Sequence, residues 1–94
     1  MTVGDDDGTP VIALAGELDL STAPVADDVF TRLPEPAGEV IVDMSELTFM
    51  DSSGLTVLLM AVNRGQALRL RKPSSIIRDL IAASGLDETL PVDS

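Results

Sequence analysis

Residues 47–60 read LTFMDSSGLTVLLM, with Asp51, Ser52, Ser53 and Gly54 set between two apolar runs. An acid, two hydroxyls and a glycine in the most hydrophobic part of a chain mark a change of element. From Gly54 on, Leu55, Leu58, Leu59 and Val62 recur at i, i+3, i+4 and i+7, the spacing of one helix face. Asn63-Arg64-Gly65 ends that helix. Before the stretch, EVIVDM (39–44) is almost continuously apolar, as suits a buried central strand of a parallel sheet. The stretch therefore reads as a strand-to-helix turn. One serine suffices to cap the helix by accepting from a free backbone N–H. The other stands exposed at the tip of the turn.

Working outward, PVIALAG (10–16) reads as a strand with Pro10 at its start and Gly16 at its end. STAPVADDVFTRL (21–33) reads as a helix, with Ser21 as N-cap and Pro24 in the first turn, where proline is tolerated. Val25, Val29, Phe30 and Leu33 form its apolar stripe, and PEPAG (34–38) closes it. ALRLR (67–71) alternates, with Leu68 and Leu70 inward. SSIIRDLIAASG (74–85) is a third helix, capped by Ser74 or Ser75. Ile77, Leu80, Ile81 and Ser84 lie on one face, and Gly85 stands at the left-handed C-cap position. ETLPV (88–92) is a last short strand. Asp7-Gly8 is a tight-turn signal that joins a short strand near Thr2-Val3 to the next one. Strands alternating with helices imply parallel pairing through right-handed crossovers. The expected fold is α/β: a small sandwich, a mostly parallel four- to five-stranded sheet with three helices. Residues 1–94 form one domain, with its core in 10–92 and residues 1–9 as a short acidic N-terminal segment or hairpin.

Composition narrows the chemistry. The net charge is −10. Residues 1–63 carry 12 acids against Arg32 alone, whereas five of the six basic residues lie between Arg64 and Arg78. Most of this surface repels a phosphate backbone, and Phe30 and Phe49 are the only aromatics, so nucleic acid is not an expected direct partner. No apolar run reaches the length of a membrane span, and MTVGDDDGTP (1–10) has no apolar signal core, so a cytoplasmic location is expected. Without histidine or cysteine, the commonest general base and the commonest thiol nucleophile are missing. No glycine-rich phosphate loop accompanies a lysine, and no cofactor or metal site is expected. The consecutive acids Asp5, Asp6 and Asp7 lack the alternation of a calcium loop. Asp43, at the end of an apolar strand, suits a phospho-acceptor aspartate, but Gly16–Leu20 offers only Glu17 and Asp19 to hold its magnesium.

The exposed serine of the DSSG turn suits a phosphoryl acceptor. A phosphate adds about −1.5 to −2 charges. At a helix N-terminus it meets free N–H groups and the positive dipole end, worth roughly 0.3–1 kcal/mol, part of which Asp51 offsets. Its expected effect is therefore at an interface rather than on the fold, where a buried like-charge contact costs several kcal/mol.

AGELDLSTAP (15–24), DMSELTFMDSSGLTVLL (43–59) and AASGL (82–86) together resemble the STAS family, specifically the bacterial anti-sigma factor antagonists. The resemblance runs from about Val11 to Leu86. It implies a sheet with helices packed on one face, and a protein that binds a cognate anti-sigma factor of the GHKL serine-kinase type and so releases a sigma factor. The kinase phosphorylates the serine after the motif aspartate, here Ser52, and a phosphatase resets it. It further implies a contact surface of Asp19, Leu20, Ser21, Asp51, Ser52, Ser53, Gly54 and Leu55, with Ser53 as the helix cap, on a monomeric protein that is a substrate rather than an enzyme. The family also holds STAS interaction modules of lipid-transport ABC complexes and signalling assemblies, which need no phospho-switch. The N-terminal strand is short and acid-rich compared with the family pattern, the helix after Ser52 ends near Asn63, and little follows the last strand.

Overall fold

A computed structural model describes residues 1–33 and 38–92. Seven elements run in the order β1 (Thr2–Asp6), β2 (Thr9–Leu18), α1 (Ala23–Thr31), β3 (Glu39–Met50), α2 (Ser52–Asn63), β4 (Ala67–Arg71) and α3 (Ser75–Ala83). The sheet has the order β1-β2-β3-β4, with β1 antiparallel to β2 and the β2–β3 and β3–β4 pairs parallel. ETLPV supplies a single parallel bridge, Leu70 to Val92, rather than a full strand. Each crossover steps to the next strand in the same direction, so crossovers of one hand put all three helices on one face.

That face holds the core. Ile12 and Leu14 from β2, Val40, Val42 and Met44 from β3, and Leu68 and Leu70 from β4 are buried. Above them pack Ala23, Ala26 and Phe30 of α1, Leu55, Val57, Leu58 and Ala61 of α2, and Ile77 and Ile81 of α3. The stripe expected on α1 is displaced. Val25 is exposed, and the small residues Ala23 and Ala26 take the buried positions with Phe30. On α3, Ser84 is exposed, while Ile77 and Ile81 carry the burial. The closure of α1 by PEPAG falls on 34–37, outside the described residues.

The Asp7-Gly8 turn forms as expected, with φ 52° and 89°, the left-handed pair that a two-residue hairpin demands. Beyond Ala13 the central pairing departs from the sequence reading. Ala13 pairs with Asp43 but Ala15 with Glu46, and Gly16 pairs with Leu47 but Glu17 with Phe49. At each shift β3 carries one extra residue, so two bulges bend the pair. Gly16 adopts φ 77° there, and Thr48 donates its hydroxyl to the Gly16 carbonyl at 2.9 Å. Neither strand stops where the sequence suggests: β2 runs past Gly16 to Leu18, and β3 past Met44 to Met50. Asp43 is therefore mid-strand, accepting from the Ser45 N–H at 2.9 Å, and not at a strand tip where a phospho-acceptor would stand.

Candidate functional site at the paired strand ends

Leu18 and Met50 are the last register pair of β2 and β3, and both are buried. Each is followed by an aspartate. The Asp51 N–H donates to the Leu18 carbonyl at 3.3 Å, which fixes the start of α2 against the end of β2. Asp51 has extended backbone angles, and its carboxylate accepts from the Ser53 N–H at 2.8 Å and the Gly54 N–H at 3.4 Å. The cap is thus Asp51, not either serine. A carboxylate both satisfies two orphan N–H groups and opposes the positive end of the helix dipole, so it outcompetes a neutral hydroxyl.

With Asp51 as the cap, neither serine is needed to hold the helix end. Ser52 is the first residue of the helix and is exposed. Among the described residues neither its hydroxyl nor that of Ser53 has a hydrogen-bond partner. Gly54 and Leu55, expected on the contact surface, lie beneath it. An added Cβ on Gly54 would stand 2.7 Å from Leu18 Cγ and 2.7 Å from Met50 Cγ, and Leu55 is in the core. Glycine is required here by close approach, since no left-handed φ is involved.

At the other aspartate, Asp19 Oδ1 accepts from the Ser21 N–H (3.0 Å), the Thr22 N–H (3.2 Å) and the Ser21 hydroxyl (2.8 Å). The Ser21 hydroxyl and the Thr22 N–H hold the Asp19 carboxyl below its usual range, as bonds to the charged form do. Ser21 is not the cap of α1. Thr22 occupies that position without a side-chain cap bond, its hydroxyl donating instead to the Glu17 carbonyl at 2.9 Å. GELD therefore ends a strand, with only Asp19 in the turn.

The structure brings Asp19, Leu20, Ser21, Asp51, Ser52 and Ser53 to one end of the sheet. Leu20, 78% exposed, and Ser53 line the same groove, which lies between α1 and α2 and has a volume near 430 Å³. Ala23, Pro24, Val57 and Met60 supply its apolar lining, with Asp27 beside them. Sequence periodicity misses this groove. No group of three or more metal-ligating side chains occurs among the described residues, and no described helix is long and apolar enough to cross a membrane.

Comparison with known proteins agrees with this arrangement. A family model described as "Mlab, STAS domain" matches residues 1–92. The anti-sigma-F factor antagonist RsfB of Mycobacterium tuberculosis is 29% identical over 93 residues, covering 95% of this chain and 76% of that protein. A crystal structure of an anti-sigma factor antagonist from Mycobacterium paratuberculosis superposes with a TM-score of 0.77 at 29% identity, over 97% of this chain and 81% of that one. The anti-sigma factor antagonist SpoIIAA in its unphosphorylated form gives a TM-score of 0.74 at 26% identity, over 99% and 87% of the two chains. With its one-sided sheet, its paired aspartates and a family match over nearly its whole length, this chain belongs to the STAS-domain family.

Proposed function

We propose that this protein is an anti-sigma factor antagonist, a regulatory protein rather than an enzyme, that binds an anti-sigma factor and is switched off by phosphorylation of Ser52. The single observation that carries the reading is the free, exposed Ser52 hydroxyl on a helix already capped by Asp51. A serine with no structural duty at the tip of a strand-to-helix turn is open to a kinase and dispensable to the fold. Relatives at 26–29% identity that are named anti-sigma factor antagonists support the partner class. The anti-sigma factor is of the GHKL serine-kinase type, and a phosphatase resets Ser52.

The cap also alters the expected electrostatics. The Ser53 and Gly54 N–H groups, which would receive a phosphate, are engaged by Asp51. A phosphoryl group on Ser52 therefore projects outward as uncompensated charge beside Asp51, where it repels a partner instead of stabilising the helix. About 3 kcal/mol of such repulsion is roughly a hundredfold in affinity. The test is calorimetric titration of the wild-type chain and of Ser52→Asp with the GHKL-type anti-sigma factor of the same genome. The expected result is tight binding of the first and about hundredfold weaker binding of the second. Equal affinities would remove Ser52 from the interface. A transporter ATPase captured in place of the anti-sigma factor would make the chain a STAS module of another assembly.

A further inference from the structure

β2 ends on three successive carbonyls, each held by a different part of the chain. The Gly16 carbonyl accepts from the Thr48 hydroxyl of β3 at 2.9 Å. The Glu17 carbonyl accepts from the Thr22 hydroxyl at the start of α1 at 2.9 Å. The Leu18 carbonyl accepts from the Asp51 N–H at the start of α2 at 3.3 Å. The interrupted pairing explains why hydroxyls are used here. The β2–β3 register shifts at Ala13/Ala15 and again at Gly16/Glu17, and Gly16 takes φ 77°. On the other edge of β2 the pairing with β1 stops at Ala13, so Glu17 has no β1 residue opposite it. Carbonyls outside a regular ladder need other donors, and two threonines supply them.

Thr22 does so against the interest of its own helix. It holds the N-cap position of α1, where a threonine hydroxyl ordinarily accepts from an N–H two or three residues on. Here no side-chain cap bond forms. The hydroxyl turns back instead. Its oxygen accepts from the Asp19 N–H at 2.9 Å, and the nearest acceptor for its proton is the Glu17 carbonyl at 2.9 Å, ahead of Asp19 Oδ1 at 3.2 Å. One side chain thus closes the turn from Glu17 to Thr22, which carries Asp19 and Leu20.

We propose that Thr22 and Thr48 are positioning residues for the switch, and that they act through the end of β2 to hold the Asp19 corner and the Ser52 corner at one fixed separation. This rests on the reading of the chain as an anti-sigma factor antagonist. The strand end passes movement on rather than absorbing it. Leu18 is buried, and a Cβ on Gly54 of α2 would stand 2.7 Å from its Cγ, so the two backbones are already as close as they can come. A partner that spans both corners meets a preorganised pair. Loosening either hydroxyl pin lowers affinity with Asp19, Leu20 and Ser52 all in place.

The experiment compares Thr22→Val, Thr22→Ser and Thr48→Val with the wild type in three measurements: affinity for the GHKL-type anti-sigma factor, melting temperature, and solvent exchange of the Asp51 amide. Valine keeps the branched shape and removes the hydroxyl. Thr22→Val is expected to lose about tenfold in affinity, and Thr48→Val about threefold, because its bond is exposed to water. Thr22→Ser keeps the hydroxyl and is expected to bind like the wild type. Melting temperatures are expected to stay within about 5 °C, since Glu17 is exposed and water can replace the lost donor. The Asp51 amide bonds to Leu18 and to neither threonine, yet it is expected to exchange faster in Thr22→Val. If both valine variants bind like the wild type while Ser52→Asp does not, the pins are overturned and the switch stands. Weakened binding with an unchanged Asp51 amide also overturns them, because the corners would then move independently. If Thr22→Val melts far lower, Thr48→Val decides: weaker binding keeps the proposal, and unchanged binding overturns it. If the wild type binds no anti-sigma factor, the functional reading falls and the amide decides. Faster exchange at Asp51 keeps the coupling of the two corners, and unchanged exchange overturns it.

Discussion

β2 and β3 leave the sheet side by side, and each hands the chain to a helix through an aspartate. The two carboxylates do the same local work. Asp19 accepts from the N–H groups two and three residues on, at 3.0 and 3.2 Å, and Asp51 does likewise at 2.8 and 3.4 Å. The paths beyond them differ. After Asp19 the chain spends Leu20, Ser21 and Thr22 on an extra turn before α1 begins, whereas after Asp51 the helix begins at once. In the first turn both hydroxyls are engaged, Ser21 on Asp19 and Thr22 on the Glu17 carbonyl. In the second, Ser52 and Ser53 keep theirs free. The same acid therefore builds a closed corner in one place and an open one in the other. The difference lies in how many residues separate each strand end from the helix that follows it.

Gly54 is the reason α2 can start at once, and its replacement is the harshest test of the comparison. Gly54→Ala is expected to cost about 1–3 kcal/mol in urea unfolding, because the new methyl group meets Leu18 and Met50 at 2.7 Å. A loss below about 0.5 kcal/mol would mean that both side chains move aside freely. Next in size is the cap. Asp51→Ala is expected to cost about 0.5–2 kcal/mol, and Asp51→Asn to recover most of it, since asparagine caps as well. If Asp51→Ala cost nothing, a serine would have taken over the cap and Ser52 would not be idle.

A smaller effect separates the corners by pH. The Ser21 hydroxyl and the Thr22 N–H lower the Asp19 carboxyl, and the Ser45 N–H and hydroxyl lower that of Asp43. Groups depressed in the folded state stabilise it above their unfolded value of about 3.9 and lose that contribution as the pH falls through the lowered folded values. The melting temperature is expected to fall below about pH 4, and less steeply in Ser21→Ala, which loses the leading bond to Asp19. Superimposable profiles would show that the Ser21 bond is unimportant in solution. The smallest effect is Ser52→Ala, expected to change stability by less than about 0.5 kcal/mol while leaving the partner bound constitutively. A larger loss would give Ser52 a structural duty.

α2, α3 and β4 are legible in the sequence because their apolar residues keep simple periods, and β1 and the DSSG turn because turn residues mark them. The end of β3 is not. There the buried residues pass from a spacing of two, Val40, Val42 and Met44, to a spacing of three, Met44, Leu47 and Met50. Two bulges produce the change, and a period of three resembles neither a strand nor a clear helix face. Ser21 and Ser53 look like caps because hydroxyls are good caps, but each has an aspartate two residues before it whose carboxylate accepts from that serine's own N–H and from the next one. The groove is illegible because its lining comes from two helices and the turn before α1, residues far apart in the chain that no local pattern joins.

The pairing of Val11 with Ile41 has a consequence in time. The β1–β2 hairpin closes locally, on the scale of microseconds, but the centre of the sheet must wait for a loop of some thirty residues to be closed before α1 has anything to cover. The Leu18–Asp51 bond joins the far ends of that same pairing. The corner that bears Ser52 therefore does not exist in a partly folded chain. Under the proposed phospho-switch, a kinase that recognised this corner would read completion of the fold, and a newly made chain would become visible to it only once able to bind.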